Sequence, residues 1–325
     1  MSRIHDALKK AAHERGTHLV VGLEADVLGV PAEIQRPANG EPGTARLGTE
    51  SLVKASDNQT GPVRYEELAK RCAHPDWRLD PLKSVFQSLN KGHAGSERFR
   101  TLRSRLCQIA STRTLRKLLV TSGVAGEGKT FVASNLAQSI VQQAERRVLL
   151  IDADLRAARL HAAFGAPGRP GLTEYLRGEA DDYAVIQKGT DGNLCLIPAG
   201  SEVSNPSELL LNEKMKHLLN SLTPIFDWII IDSPPALPVH DASILADLAD
   251  GVLLVLRAGS TDLEVAEKAA AEFRSKNLLG VVLNQVEKSD SYGEYYYTGN
   301  PINRGFLDCA AQSKYSQKGE SDKRA

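Results

Sequence analysis

The stretch 121-TSGVAGEGKT-130 decides how the rest of the chain is read. It holds a complete G-x-x-x-x-G-K-[ST] pattern, placed directly after the apolar run KLLV and directly before a helical pattern. That is the context a phosphate-binding loop needs. Glycines let backbone N–H groups turn inward around phosphate oxygens, where a side chain would clash. The following helix adds partial positive charge at its N-terminus. Lys129 is placed to reach β and γ phosphates, and the Thr130 hydroxyl can bind Mg²⁺. The nucleotide-binding residues are therefore Gly123, Val124, Ala125, Gly126, Glu127, Gly128, Lys129 and Thr130; Phe131, which follows, is given no role. The loop does not say what receives the phosphate.

Working outward, apolar runs recur: KLLVTS, RVLLID, NLCLIP, DWIIID, GVLLVLR and LLGVVLN. Helical patterns lie between them, such as FVASNLAQSIVQQ, with Val132, Leu136 and Ile140 at helical spacing. SNPSELLLNEKMKHLLNSL opens with Asn205 as cap, Pro206 at the first helical position and Glu208 at the third. Continuous apolar strands alternating with helices predict an α/β fold, a P-loop NTPase-like parallel sheet with helices on both faces, over residues 95–288. Two runs end in carboxylates: Asp152, with Asp154 and Arg156 beyond it, and Asp232. An aspartate at a strand end is often only a helix cap. In an open α/β sheet, however, the carboxyl ends of strands form the ligand crevice, so both segments should converge on the loop. Asp232 fits the role of holding Mg²⁺ beside the nucleotide. Asn284, at the end of VVLN, is a candidate for contact with the adenine.

The flanks are different in kind. Residues 1–28 include an amphipathic helix at 2–15, with Ile4, Leu8 and Ala11 on one face. Residues 29–94 read mostly as a flexible linker, with a weakly helical patch at RYEELAKRCA and an undecided WRLDPLKSVF. Residues 289–325 turn polar again and read as a flexible tail. Lys+Arg and Asp+Glu are both 40, which removes any global draw toward nucleic acid. The four cysteines are scattered without metal-ligand spacing, which fits a reducing cytosol. No run reaches the ~20 apolar residues of a membrane helix, and the N-terminus has no signal-peptide core.

Together the loop, Asp152-Ala-Asp154-Leu-Arg156 and Asp232-Ser-Pro234 resemble the bacterial tyrosine kinases (BY-kinases), P-loop proteins unrelated in fold to eukaryotic kinases. The narrower resemblance is to the cytoplasmic autokinases of exopolysaccharide loci. It implies ATP and Mg²⁺ as cofactors and a tyrosine-rich C-terminal tail as phosphoacceptor. Half of the eight tyrosines, Tyr292, Tyr295, Tyr296 and Tyr297, lie in YGEYYY, after the last apolar run. The resemblance assigns Lys129 to charge on the γ-phosphate, Asp152 to accepting the phenol's proton, and Asp154 and Asp232, with Thr130, to the metal. It also matches an E-x-x-R-x-x-R oligomerisation motif at Glu97, Arg100 and Arg103. On spacing alone, those residues are an ordinary surface group on one helical face.

Further implications are transfer between subunits of a homo-oligomeric ring and a membrane polysaccharide co-polymerase as activator. A protein-tyrosine phosphatase, no nucleic-acid partner, and a cytoplasmic location at the inner face of the membrane complete the expectation. The alternative is a nucleotide-switched assembly ATPase of the septum-site and partition type. Those proteins carry a second lysine in the loop, where this chain has Val124. A scaffold with vestigial chemistry is a third reading.

Overall fold

The computed structural model describes residues 22–23, 64–86, 94–189 and 192–286. The expected helix at 2–15 and the tyrosine cluster at 292–297 lie outside the described residues. In chain order, β1 (Gly22–Leu23) and α1 (Tyr65–Arg71) precede α2 (Ala94–Thr112) and β2 (Lys117–Ser122). Then come α3 (Lys129–Val141), β3 (Val148–Asp152), α4 (Leu160–Phe164), α5 (Leu172–Arg177) and α6 (Asp182–Val185). β4 (Gln187–Lys188) and β5 (Leu194–Ile197) lead to α7 (Pro206–Leu210), α8 (Glu213–Leu222) and β6 (Trp228–Asp232). The described chain closes with α9 (Asp241–Ala246), β7 (Gly251–Arg257), α10 (Leu263–Glu272) and β8 (Leu278–Asn284).

All six apolar runs are strands. They form one sheet in the order β1-β8-β7-β2-β6-β3-β5-β4, with the six from β8 to β5 parallel. The short edge strands β1 and β4 run antiparallel to their neighbours. Because side chains alternate along a strand, each run feeds two cores. Leu119, Leu149, Ile151, Ile229 and Ile231 pack on one face with α5 and α8. Leu118, Val120, Leu150, Ile230 and Leu253 pack on the other, under α2 and α3. Burial on both faces is why these runs are continuous rather than alternating in polarity.

The segment expected to be one helix from Pro206 is two. α7 stops at Leu210, and Asn212 caps α8 by accepting the Lys214 N–H at 3.0 Å. Asn205 does sit at the N-cap of α7, but its amide donates to Glu208 at 2.6 Å instead of accepting a backbone N–H.

The weakly helical patch RYEELAKRCA is α1, and the undecided WRLDPLKSVF after it is packed against the domain. Tyr65 and Leu68 of α1 are buried, and Trp77 packs edge-on against Phe164, ring centroids 5.3 Å apart. Beyond Asp80 the chain lies as a strap across α3. The Asn135 side chain reads its backbone from both sides: it accepts the Val85 N–H at 2.8 Å and donates to the Lys83 carbonyl at 2.9 Å. The Ser84 hydroxyl donates to Gln138 at 2.6 Å. Phe86, Phe99 and Phe131 continue the contact as a chain of tilted rings. Composition hid this, because a strap held by backbone hydrogen bonds needs no apolar periodicity of its own. Asn135→Ala orphans a partly buried N–H and C=O, which should cost about 1–3 kcal/mol. Loss of hydrogen-exchange protection at residues 83–85, with α3 still protected, is the expected readout; unchanged protection would count against the contact.

Candidate active site

The phosphate loop joins β2 to α3, and its glycines are used for conformation. Gly126 and Gly128 have φ of 87° and 94°, a region L side chains rarely adopt. A Cβ on Gly128 would also lie 2.0 Å from Asn284 Nδ2, because the Asn284 amide donates to the Glu127 carbonyl at 2.9 Å. Gly128→Ala should therefore weaken nucleotide binding about 10- to 100-fold through backbone strain and that clash. Titration with a fluorescent nucleotide checks it. Adding Asn284→Ala should recover part of the loss, and no recovery would show that the clash is not the cause.

Glu127 is the unexpected member of the loop, a carboxylate among groups that await phosphates. It is buried and its oxygens are hydrogen-bonded: Oε2 accepts the Val124 N–H at 2.8 Å, and Oε1 takes the Thr261 hydroxyl. Thr261 in turn accepts the Arg257 N–H at 3.1 Å, so the turn after β7 braces the loop. Sequence reading missed Thr261. The acid inside the loop was the signal, since a buried carboxylate requires a partner.

The two aspartate-bearing segments do converge on the loop. β3 lies beside β6 with Asp152 paired to Asp232 in register, and β6 lies beside β2. Lys129 Nζ is 2.7 Å from Asp154 Oδ2, with both side chains almost fully covered. Burial pulls the Lys129 ammonium pKa down, but Asp232, Asp154 and Asp152 outweigh it and hold the group charged. Asp152 is fully buried: Oδ2 accepts the Arg159 and Leu160 N–H groups at 3.2 and 3.0 Å, and Oδ1 the Asp154 N–H at 3.3 Å. Burial, then the charge of Asp232, pushes its carboxyl well above the usual range. Burial also raises Asp232, against the pull of Lys129 and the Thr130 hydroxyl.

Asp232 supplies the test for a metal. Both of its buried carboxylate oxygens lack a full hydrogen-bond partner, despite the nearby Thr130 hydroxyl. Orphaned buried carboxylate oxygens beside a hydroxyl and a second acid, Asp154, fit a hard, oxygen-seeking cation. Among the described residues no His/Cys/Asp/Glu group would hold a metal by itself. Mg²⁺ does not require one, since it keeps waters and uses substrate phosphates with one or two carboxylates.

Arg156 is committed to side chains outside the phosphate loop. Its guanidinium grips the buried Asp241 at 2.7 and 3.2 Å and donates to Ser207 at 2.9 Å, tying the Asp152–Asp154 segment to α7 and α9. Asp241 and Ser207 also escaped sequence reading. Glu97, Arg100 and Arg103 all lie on α2, away from these carboxylates. Glu97 and Arg100 pair with each other, whereas Arg103 turns inward to the Ser139 carbonyl of α3. Tyr292, Tyr295, Tyr296 and Tyr297 are outside the described residues.

A family model described as AAA domain matches residues 117–273. The chain is 38% identical over 224 residues to the tyrosine-protein kinase YwqD of Bacillus subtilis, covering 68% of this chain and 93% of that protein. It is 36% identical over 218 residues to the tyrosine-protein kinase CpsD of Streptococcus agalactiae, covering 66% of this chain and 94% of the other. Among solved structures, the kinase domain of Escherichia coli tyrosine kinase ETK superposes with a TM-score of 0.59 at 35% identity, over 62% of this chain and 80% of that one.

Proposed function

The chain belongs to the bacterial tyrosine-protein kinases, and on that premise we propose that it moves the γ-phosphate of ATP onto the tyrosines of its own C-terminal tail, between subunits. The observation that supports this most is the meeting of Lys129, Asp152, Asp154 and Asp232 at the carboxyl ends of adjacent strands, beside a complete phosphate loop. The kinase domain is residues 95–288, and the segment 64–86 packs onto it. The tail, residues 289–325, carries the acceptors Tyr292, Tyr295, Tyr296 and Tyr297.

In the proposed reaction the loop N–H groups and Lys129 bind the phosphates and stabilise charge as the γ-phosphoryl leaves. Thr130, Asp154 and Asp232 would hold Mg²⁺, which supplies charge neutralisation across the phosphates. Asp152 orients the phenol and takes its proton late, in a loose transition state. A phenol's pKa of ~10 and a free aspartate's of ~3.9 leave a wide gap, so the proton moves only as the new P–O bond forms. The backbone contacts that now cover Asp152 must open for this role.

A ring of subunits, held in part by Glu97, Arg100 and Arg103, would deliver each tail to the next active site. Tail phosphates, each carrying about −1.5 to −2 charge, would loosen that packing. A membrane polysaccharide co-polymerase as activator, an opposing phosphatase, and control of exopolysaccharide polymerisation or export at the inner face of the membrane belong to the same proposal. No helix among the described residues is long and apolar enough to cross a membrane. Nothing in the site favours the assembly-ATPase alternative, since Val124 stands where its second lysine would be.

Mass spectrometry of the tail after incubation with MgATP tests the reading. Phosphate on the tail of the wild-type chain, absent in Lys129→Ala, is the expected result. Steady ATP hydrolysis with a bare tail would overturn it. Light scattering before and after ATP should show the assembly shrinking.

A further inference from the structure

A cavity of about 200 Å³ opens between residues 124–127 of the phosphate loop and the segment from Arg257 to Val265. Lys129, Asp152, Asp154 and Asp232 do not line it. Val124 and Val265 give it apolar wall, while Arg257, Ser260, Thr261 and the acid Asp262 give it polar groups. Val124 is left 37% exposed, an apolar side chain without cover beside a reactive centre. Glu127 is already committed to Thr261 and to the Val124 N–H, so that wall is braced. Arg257 is exposed and has no ion pair among the described residues. The volume falls short of the ~300–1,000 Å³ of sites that enclose a whole small-molecule ligand. It is closer to the ~150 Å³ cavity that holds one benzene. The size suits a single aromatic side chain.

The course of the chain points to which one. β8 runs beside β7, with Asn284 in register with Arg257, and the Ala258 N–H donates to the Asn284 carbonyl at 2.9 Å. In each subunit of the proposed ring the described chain therefore ends at the carboxyl end of the sheet, the end that also bears the cavity. Tyr292 follows Val286 by six positions, at most ~20 Å of extended chain. We infer that the cavity is a docking subsite for the ring of one tyrosine of the neighbouring subunit's tail, which holds that tail while another of its tyrosines receives the phosphate. This rests on the tail being the acceptor. In an extended strand Tyr295 and Tyr297 share a face about 7 Å apart, with Tyr296 opposite, so one docked ring places its neighbours within a short reach. The clustering of tyrosines follows: the anchor must be aromatic but need not be a phenol.

That distinction sets the experiment. The full chain is the kinase, and synthetic peptides spanning residues 287–300 are the substrates, each keeping one tyrosine. In one set the other three become phenylalanine, in the second alanine. The phenylalanine set should be phosphorylated with a kcat/KM about tenfold above the alanine set, the value of burying one ring. Val265→Glu should abolish that difference while leaving the KM for ATP unchanged, and Val265→Ser, a milder change for folding, should reduce it. Equal rates for both peptide sets would overturn the docking subsite and leave the tail as acceptor. A raised KM for ATP in Val265→Glu would give the cavity to the nucleotide and overturn it too. Failure of the wild-type chain to phosphorylate any peptide or its own tail would instead overturn the proposed reaction.

Discussion

Lys129→Ala is expected to lower tail phosphorylation by about 10²–10³-fold, the usual cost of removing one preorganised donor aimed at transition-state charge. The same substitution should weaken the nucleotide-free fold, which an activity assay alone would miss. Lys129 is the only cation within ion-pair distance of Asp154 among the described residues, and that contact is covered from solvent. Its removal leaves three buried carboxylates together, with Asp152 and Asp232 already raised by burial. Breaking one side of such a pair costs about 3 kcal/mol. At this size that amounts to a fall in melting temperature of roughly 6–12 °C. Calorimetry of the nucleotide-free chain measures it. An unchanged melting temperature would mean that the Lys129–Asp154 contact contributes nothing at rest.

Asp232→Asn should separate activity from stability in the opposite sense. The folded chain binds the Asp232 proton more tightly than the unfolded chain does, since burial lifts its carboxyl from 3.8 to about 6. Between those values each rise in pH therefore costs the folded state, and at neutral pH the whole penalty is present. Asparagine carries no charge to bury, so the variant should be more stable at pH 7 by about 1–3 kcal/mol, because each tenfold difference in proton affinity is worth ~1.4 kcal/mol. The decline in stability as pH rises from about 4 to about 6 should flatten as well. Activity should fall at least ~10²-fold, because the proposed metal loses a carboxylate. Stabilisation by MgADP over ADP alone should shrink. Thermal melts across pH, with and without Mg²⁺, read all of these outcomes. An Asp232→Asn chain less stable than wild type at pH 7 would contradict the burial argument.

The parts of this molecule that sequence made legible are those in which local pattern and tertiary role coincide. Each apolar run is buried on both faces, so its pattern alone identifies a parallel strand. The strand ends carry Asp152 and Asp232, and a parallel sheet leaves them no other edge to occupy. What stayed hidden depends on contacts between distant segments. Asn135 is one polar residue within a helix until the strap at 83–85 is laid across it. Glu127 looks like a filler position until Thr261 reaches over from the turn after β7. Arg156, one letter of a recognised motif, proves to clamp Asp241 and Ser207. The break between α7 and α8 was within reach: Asn212 is a good capping residue, masked by the run of leucines before it.

The resting contact between Lys129 and Asp154 has a consequence for how nucleotide enters and leaves. A vacant crevice with a loose ammonium would capture any polyphosphate by simple addition. Here the ammonium already has an anionic companion, so an incoming phosphate must displace it, and a departing one is replaced by it. Association is thus an exchange of partners whose net gain is smaller than the gross attraction.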